Sequence, residues 1–467
     1  MKNIYFYDSS KKAKVEFIPL KKDIIKIYVC GPTVYDNSHL GHARSAIAFD
    51  LLHRVLKANG YEVIFAKNFT DIDDKIIKKM NEENKSLEEI TSFYINNYKS
   101  DMEALNILPN TFEPKATENL EAMQEMIEDL LSKDIAYKTD DSVYFDVSKD
   151  IFYGTLSNQA SDDNSIARVE INKEKRNSSD FALWKFEKTN DVSYVSSFGK
   201  GRPGWHIECS AMIKKHLAYK DEPFQIDIHC GGADLLFPHH ENEASQTRCS
   251  TGQNLAKYWM HNGFVNINGE KMSKSLGNSF FLKDVLKSYS GEVIRFYLLS
   301  TSYRTNINFN EEDLLASKKR LDKLYRVKKR VYSVASSNIN KQFQDSILDA
   351  LNDDLNTALA LSVIDEFINN SNDSLDKNQK DKSLKQEIIA NIIFIENVLG
   401  FGGTDAYEYF QFGIDNNTKN KIEELIEKRT KAKEEKDFAK ADSIREELSN
   451  MNISIMDTPS GVVWEYR

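Results

Sequence analysis

Cysteine is scarce in this chain of 467 residues: four in all, at positions 30, 209, 230 and 249. Spread so thinly, they make a poor disulfide framework and fit a reducing compartment, where cysteine serves as a metal ligand, a catalyst or a small buried apolar residue. No Cys-x-x-Cys pair is present to anchor a metal site. Long apolar runs are missing too; none approaches the ~18 residues that a membrane helix requires, so no membrane partner is expected. The stretch Met1 to Phe17 has lysines but no apolar segment, and nothing in it reads as a secretory signal. A cytoplasmic location is expected. Internal repeats and low-complexity tracts are absent. Positive charge is in deficit, with a formal net charge of -10, which argues against a non-specific polyanion binder while leaving room for local basic faces.

What is present suggests several domains and a large core. Ile24 to Cys30 is a nearly continuous apolar run, as in a buried parallel strand. A Gly31-Pro32 turn follows, then a helical pattern from about Gly41, with Ile47, Leu51, Val55 and Ala58 in phase and Gly60 placed to end it. Tyr61 to Ala66 reads as the next strand. Strand, turn, helix and strand make a βαβ unit whose ligand end lies at the strand C-termini, where His39-Leu40-Gly41-His42 falls. From 114 to 200 the pattern is mixed, with a helical stretch around Leu120 to Leu131 and a strand-like Ser142 to Val147, and it reads as an insertion. Apolar segments resume at Phe224 to His229 and Tyr258 to Val265. Beyond about residue 310 the pattern is helical. The basic helix Lys318 to Val331 serves equally as a core-packing helix with a solvated face or as a contact for a polyanion. Glu423 to Leu448 reads as one exposed helix with intrahelical ion pairs.

Two segments carry chemistry only as a pair. His39-Leu40-Gly41-His42 puts imidazoles at a helix start, and Lys271-Met272-Ser273-Lys274-Ser275 puts ammonium groups on a loop. Alone, the first is a loosely fixed turn and the second a solvated basic loop; together, in this order, both supply donors for phosphate. That pairing resembles the signature of class I aminoacyl-tRNA synthetases. Between them, Cys30 closes the first strand, Cys209 lies in Gly204-Trp205-His206-Ile207-Glu208-Cys209, and Phe237-Pro238-His239-His240-Glu241-Asn242-Glu243 spaces His239 and Glu243 at i, i+4 on a helix that Pro238 is placed to begin. Two cysteines, a histidine and a glutamate form an acceptable zinc set. Buried apolar cysteines are the plain alternative, and His239 and His240 compete for the one imidazole position.

The chain closely resembles the cysteinyl-tRNA synthetases. The matching text is Cys30 to Asp36, Asn68-Phe69-Thr70-Asp71-Ile72-Asp73-Asp74-Lys75, Gly201 to Ser210, Phe237 to Glu243, Lys271 to Asn278, Asp437 to Asp442 and Asp457-Thr458-Pro459, so the likeness covers essentially the whole length. Small departures are Leu40 where isoleucine is common, Cys230 where glycine is frequent, and Ser178 where proline is frequent. The resemblance implies an α/β fold: a Rossmann-like parallel-sheet catalytic domain (1–113 and 201–310) with an α/β insertion (114–200), a helical-bundle anticodon-binding domain (311–400) and a small C-terminal tRNA-recognition domain (401–467).

It also implies ATP-dependent attachment of L-cysteine to tRNA(Cys) through a cysteinyl adenylate, by a monomer. Zinc, one per chain, would sit on Cys30, Cys209, His239 and Glu243, with Mg²⁺ accompanying ATP. Catalytic roles fall to His39, His42, Lys271 and Lys274, ATP binding to His39, Gly41, His42 and Lys274, and substrate contacts to Thr70, Trp205, His229 and Asp234, the last suited to the ammonium group. A size-measuring pocket separates cysteine from serine by only ~10–200-fold, whereas a metal that binds thiolate separates them at binding. Three other readings share parts of this pattern: a cysteine ligase joining the adenylate to an amino-sugar, another class I synthetase, and a non-enzymatic tRNA or nucleotide binder.

Overall fold

The computed structural model describes residues 3–158, 174–267, 270 and 271, 281–458 and 461–466. Its centre is a sheet of four parallel strands in the order Asn254–Asn262, Phe224–Gly232, Ile24–Val29, Glu62–Lys67. The two middle strands are buried over most of their length, which is why both read as apolar runs rather than as alternation. Helix Leu40–Ala58 crosses between Ile24–Val29 and Glu62–Lys67. It buries Leu40, Ile47, Leu51, Leu52, Val55 and Leu56; Ile47, Leu51 and Val55 are among the residues whose spacing marked it as a helix, while Ala58 is half-buried. It ends at Asn59, with Gly60 at φ 93° beyond.

The helix Leu120–Ser132 lies with a four-stranded antiparallel sheet of Ala136–Lys138, Ser142–Phe145, Phe181–Phe186 and Gly201–Pro203, whose last strand falls beyond the expected end of the insertion at 200. Met123, Met126, Ile127 and Leu130 of that helix pack with Val143, Phe145, Leu183 and Trp184 of the sheet in one core.

By contacts the chain divides into two compact units: Met1–Lys283 with Thr301–Phe309 and Ile347–Ala360, and Asp284–Ser300 with Asn310–Ser346 and Leu361–Arg467. In the first, the 347–360 segment is tied in by Asp354, which accepts from the Tyr7 backbone N–H and the Tyr303 hydroxyl at 2.8 Å each. In the second, helices Glu311–Arg330, Thr357–Lys377 and Lys382–Leu399 dominate. The basic residues of Glu311–Arg330 are largely engaged within this unit. Lys328 donates to the carbonyls of Gly402, Gly403 and Thr404, Arg320 pairs with Asp365, and Lys329 pairs with Glu465.

Two local expectations need correction. Glu423 to Leu448 is not one helix but two, Asn416–Glu434 and Phe438–Asn450. Lys436 breaks it at φ 60°, and the Asp437 carboxylate caps the second helix by accepting from the Lys440 N–H. The dense charge hid the cap. Pro238 does not begin the helix that carries Glu243: the α-helix is Glu241–Thr251, and Leu236–His240 before it is an irregular turn with Phe237 in extended backbone.

Candidate active site and metal centre

Cys30 follows the last residue of the Ile24–Val29 strand, at the ligand end of the parallel sheet. Gly31 lets the chain turn there: a Cβ on it would lie 1.6 Å from the Asn68 carbonyl oxygen, so only glycine permits this approach. Its N–H donates to the Asn68 side chain at 2.8 Å. The turn delivers His39 as the N-cap of Leu40–Ala58.

The two histidines of the first motif lock each other. The His39 Nδ1 accepts from the Gly41 N–H at 3.1 Å, and the His42 Nδ1 accepts from the His39 N–H at 3.2 Å. Their rings stack with centroids 3.8 Å apart. An Nδ1 that accepts leaves the proton of a neutral imidazole on Nε2. Both rings therefore present Nε2–H donors at a helix N-terminus, where the helix dipole favours an anion.

They face a cavity of about 540 Å³, lined also by Cys30, Gly41, Lys67, Trp205 and Asp234. Thr70 and His229 do not line it. Thr70 is buried and its hydroxyl donates to Glu208 at 2.7 Å, while His229 is buried with its Nε2 2.7 Å from Glu243. In the phosphate loop, Lys271 pairs by backbone with Asn266 in a short antiparallel bridge, and Lys274 lies outside the described residues.

Cys30, Cys209, His239 and Glu243 converge below the cavity, all buried, with ligand atoms within 4.8 Å of one another. The two sulfurs are 3.7 Å apart, close to the roughly 3.8 Å edge of a tetrahedron with Zn–S bonds of about 2.3 Å. Cys30 Sγ lies 3.4 Å from Glu243 Oε1, and Cys209 Sγ lies 3.8 Å from His239 Nε2. These residues fit zinc in identity, count and spacing. Burial works against a Cys209 thiolate, but the Cys30 thiol and His239 more than offset it and bring the group down to about 6. Burial likewise opposes the charged forms of His239 and Glu243, yet their pairing holds the imidazole up at about 10 and, with His229, the carboxylate well below its usual range.

The rivalry between His239 and His240 has a structural counterpart. A second set, Cys30, His229, His240 and Glu243, shares two members with the first. The His206 Nδ1 lies 2.9 Å from the His239 Nδ1, and the His240 Nδ1 lies 2.8 Å from the His261 Nε2. Five of the nine histidines of the chain thus gather here, which sequence reasoning missed for His206 and His261. Their density between 206 and 261 was the available signal. Trp205 stacks on the His239 ring at 4.0 Å, linking the cavity wall to the metal cluster.

Comparison with known proteins agrees with this geometry. Residues 16–319 match the family described as tRNA synthetases class I (C) catalytic domain, and residues 347–401 match the DALR domain. A cysteine–tRNA ligase of Aliarcobacter butzleri is 74% identical over 100% of both chains, and one of Nitratiruptor sp. is 66% identical over 98% of this chain and 99% of its own. Among solved structures, Mycobacterium tuberculosis methionyl-tRNA synthetase in complex with methionyl-adenylate superposes with a TM-score of 0.60 at 14% identity, covering 81% of this chain and 92% of its own. At that identity the likeness shows the fold alone, a class I synthetase fold around the parallel sheet. With the full-length relatives and the catalytic-domain match, it follows that the chain belongs to the cysteine–tRNA ligase family of class I aminoacyl-tRNA synthetases.

Proposed function

We propose that the cavity at the ligand end of the sheet is where this ligase activates L-cysteine with ATP before passing it to tRNA(Cys). The observation that carries the reading is the convergence of Cys30, Cys209, His239 and Glu243 beneath the cavity that His39 and His42 face. Attack of the cysteine carboxylate on the α-phosphorus gathers negative charge on phosphate oxygens, so catalysis there rests on positioning and preorganised donors. The His39 and His42 rings are held in place by the first helical turn, with their Nδ1 atoms engaged by its backbone. Lys271 and Lys274 add mobile positive charge, with Mg²⁺ accompanying the nucleotide. Trp205 and Asp234 line the same cavity; in this reading Asp234 takes the substrate ammonium, and Thr70 and His229 act from behind the wall.

Cys30, Cys209, His239 and Glu243 would hold one zinc per chain, and when bound it supplies a thiolate-binding centre that a serine hydroxyl cannot match. In the same reading 1–113 and 201–310 form the catalytic domain around the 114–200 insertion, while 311–400 and 401–467 serve tRNA recognition by a cytoplasmic monomer. The amino-sugar ligase alternative is disfavoured, because the ligase relatives match this chain from end to end. Pyrophosphate exchange with each amino acid in turn, followed by tRNA charging, tests the proposal. Exchange with cysteine alone, and charging of tRNA(Cys), is the expected result; cysteine-dependent exchange without charging would overturn it.

A further inference from the structure

Lys67 closes the Glu62–Lys67 strand at the ligand end of the sheet, opposite Val29 in register. Only 8% of the residue is exposed. Its backbone N–H donates to the Phe112 carbonyl, but its ammonium group makes no ion pair and no hydrogen bond among the described residues. Its nearest recorded companion is the Tyr98 ring, 5.3 Å away. Neighbouring cations are treated differently: Arg54 is paired with Asp50 at 2.7 Å, and Lys99 with Glu113 at 2.6 Å. With no partner in the protein, the ammonium group is left to whatever occupies the cavities that its residue lines.

The place of Lys67 says what the missing partner is. Its side chain and Tyr98 line the cavity that His39, His42 and Ser45 also line, and they line a second cavity of about 380 Å³ with His53 and Phe65. The lysine thus stands in the wall between the two. On the catalytic side, the donors already described are arranged for phosphate. A lysine is a compact point charge suited to a phosphate oxygen. We infer that Lys67 is a phosphate-binding residue of this ligase, contributing an ammonium group that is left unpaired until a substrate phosphate enters the cavity. The phosphate belongs either to the nucleotide or to the 3′-terminal link of tRNA, and the two sources separate by half-reaction. The assignment rests on the cavity being the site of catalysis.

The test uses full-length, zinc-loaded protein carrying Lys67→Met, Lys67→Arg or His42→Ala. Cysteine-dependent pyrophosphate exchange reports the nucleotide arm, and single-turnover transfer from preformed cysteinyl adenylate reports the tRNA arm. Lys67→Met should lose on the order of 10–100-fold in one arm, as for a hydrogen bond to a charged group, and Lys67→Arg should recover most of it. Loss in exchange assigns the nucleotide phosphate, and loss in transfer alone assigns the tRNA phosphate. The substrate-free Lys67→Met protein should melt no lower than wild type, since no ion pair or hydrogen bond of the side chain is lost. Rates within twofold of wild type in both arms, a loss that arginine does not restore, or a lowered melting temperature would each overturn the role. If His42→Ala also leaves both arms intact, the cavity assignment fails; if His42→Ala is impaired and Lys67→Met is not, only the lysine assignment fails.

Discussion

At the scale of single residues, the chemistry of the site follows from which atoms are kept dry. Cys209 is buried beside a second thiol and an imidazole that favour its thiolate, so it is poised to bind a metal with release of its proton. Elemental analysis of the purified protein should find about one zinc per chain, as for one mononuclear site. Cys209→Ser should lower both the metal content and the affinity for cysteine, because an alkoxide is a poor ligand; undiminished preference for cysteine over serine in metal-free protein would contradict this. Asp101 gives a separate titration. Burial raises its carboxyl to about 6, above the ordinary carboxylate range, against the opposing effects of the Ser38 hydroxyl and the Lys283 charge. Its native form thus holds a proton more tightly than its unfolded form. The stability it contributes is fully present below about pH 4 and is lost as pH rises through about 6. Asp101→Asn should therefore stabilise the fold by about 2 kcal/mol at pH 7.5 and hardly at all at pH 4. Thermal melts at the two pH values check the sign.

At the scale of elements, the C-terminal segment shows how a small core depends on one side chain. Ile422, Leu425 and Ile426 of the first helix and Ile444 and Leu448 of the second close over Trp464, which is 2% exposed and whose indole donates to Glu423. The strand pair Ile453–Thr458 and Gly461–Tyr466 holds Trp464 in place. Trp464→Ala should destabilise this cluster by about 3–5 kcal/mol. Exchange with cysteine should survive, since the candidate catalytic residues lie elsewhere in the sequence, while tRNA charging should fall. The catalytic βαβ unit was legible in the sequence because buried parallel strands and an amphipathic helix leave strong periodic signals from Ile24 to Ala66. The break at Lys436 was not, because a left-handed lysine followed by a capping aspartate looks like any other charged pair in a charged helix. Around Pro238 the spacing and the backbone part company: His239 comes to 2.9 Å from Glu243 at i, i+4 although the α-helix begins only at Glu241. The candidate ligand set could be assembled from Cys30, Cys209 and the His239–Glu243 spacing, but only family likeness favoured it over buried apolar cysteines, since no Cys-x-x-Cys pair anchors it.

At the scale of the whole molecule, the order of the chain and the order of the fold disagree. The unit that holds the candidate active site takes in Ile347–Ala360, long after its main part ends at Lys283, and Gly291–Leu299 between them belongs to the other unit. A chain cut near residue 310 would lose Asp354, which ties Tyr7, Tyr303 and Arg304 together within the first unit. Such a protein is expected to be poorly soluble or to melt markedly lower than the full chain. A cut after Gly413 removes only the terminal helices and strand pair, and should keep pyrophosphate exchange while weakening tRNA charging. Equal charging by this shorter protein and the full chain would count against a role for the C-terminal segment in tRNA recognition.

The return of Ile347–Ala360 to the first unit also sets a clock on biosynthesis. At roughly 5–20 residues per second on the ribosome, several seconds pass between emergence of the central strands and arrival of the segment that completes their unit. During that interval the ties of Asp354 to Tyr7, Tyr303 and Arg304 are unmade and the unit waits incomplete. The ligase is therefore expected to lean on holding chaperones as it is made, and pauses in translation between positions 283 and 347 should lower the yield of active enzyme more than equal pauses after residue 413.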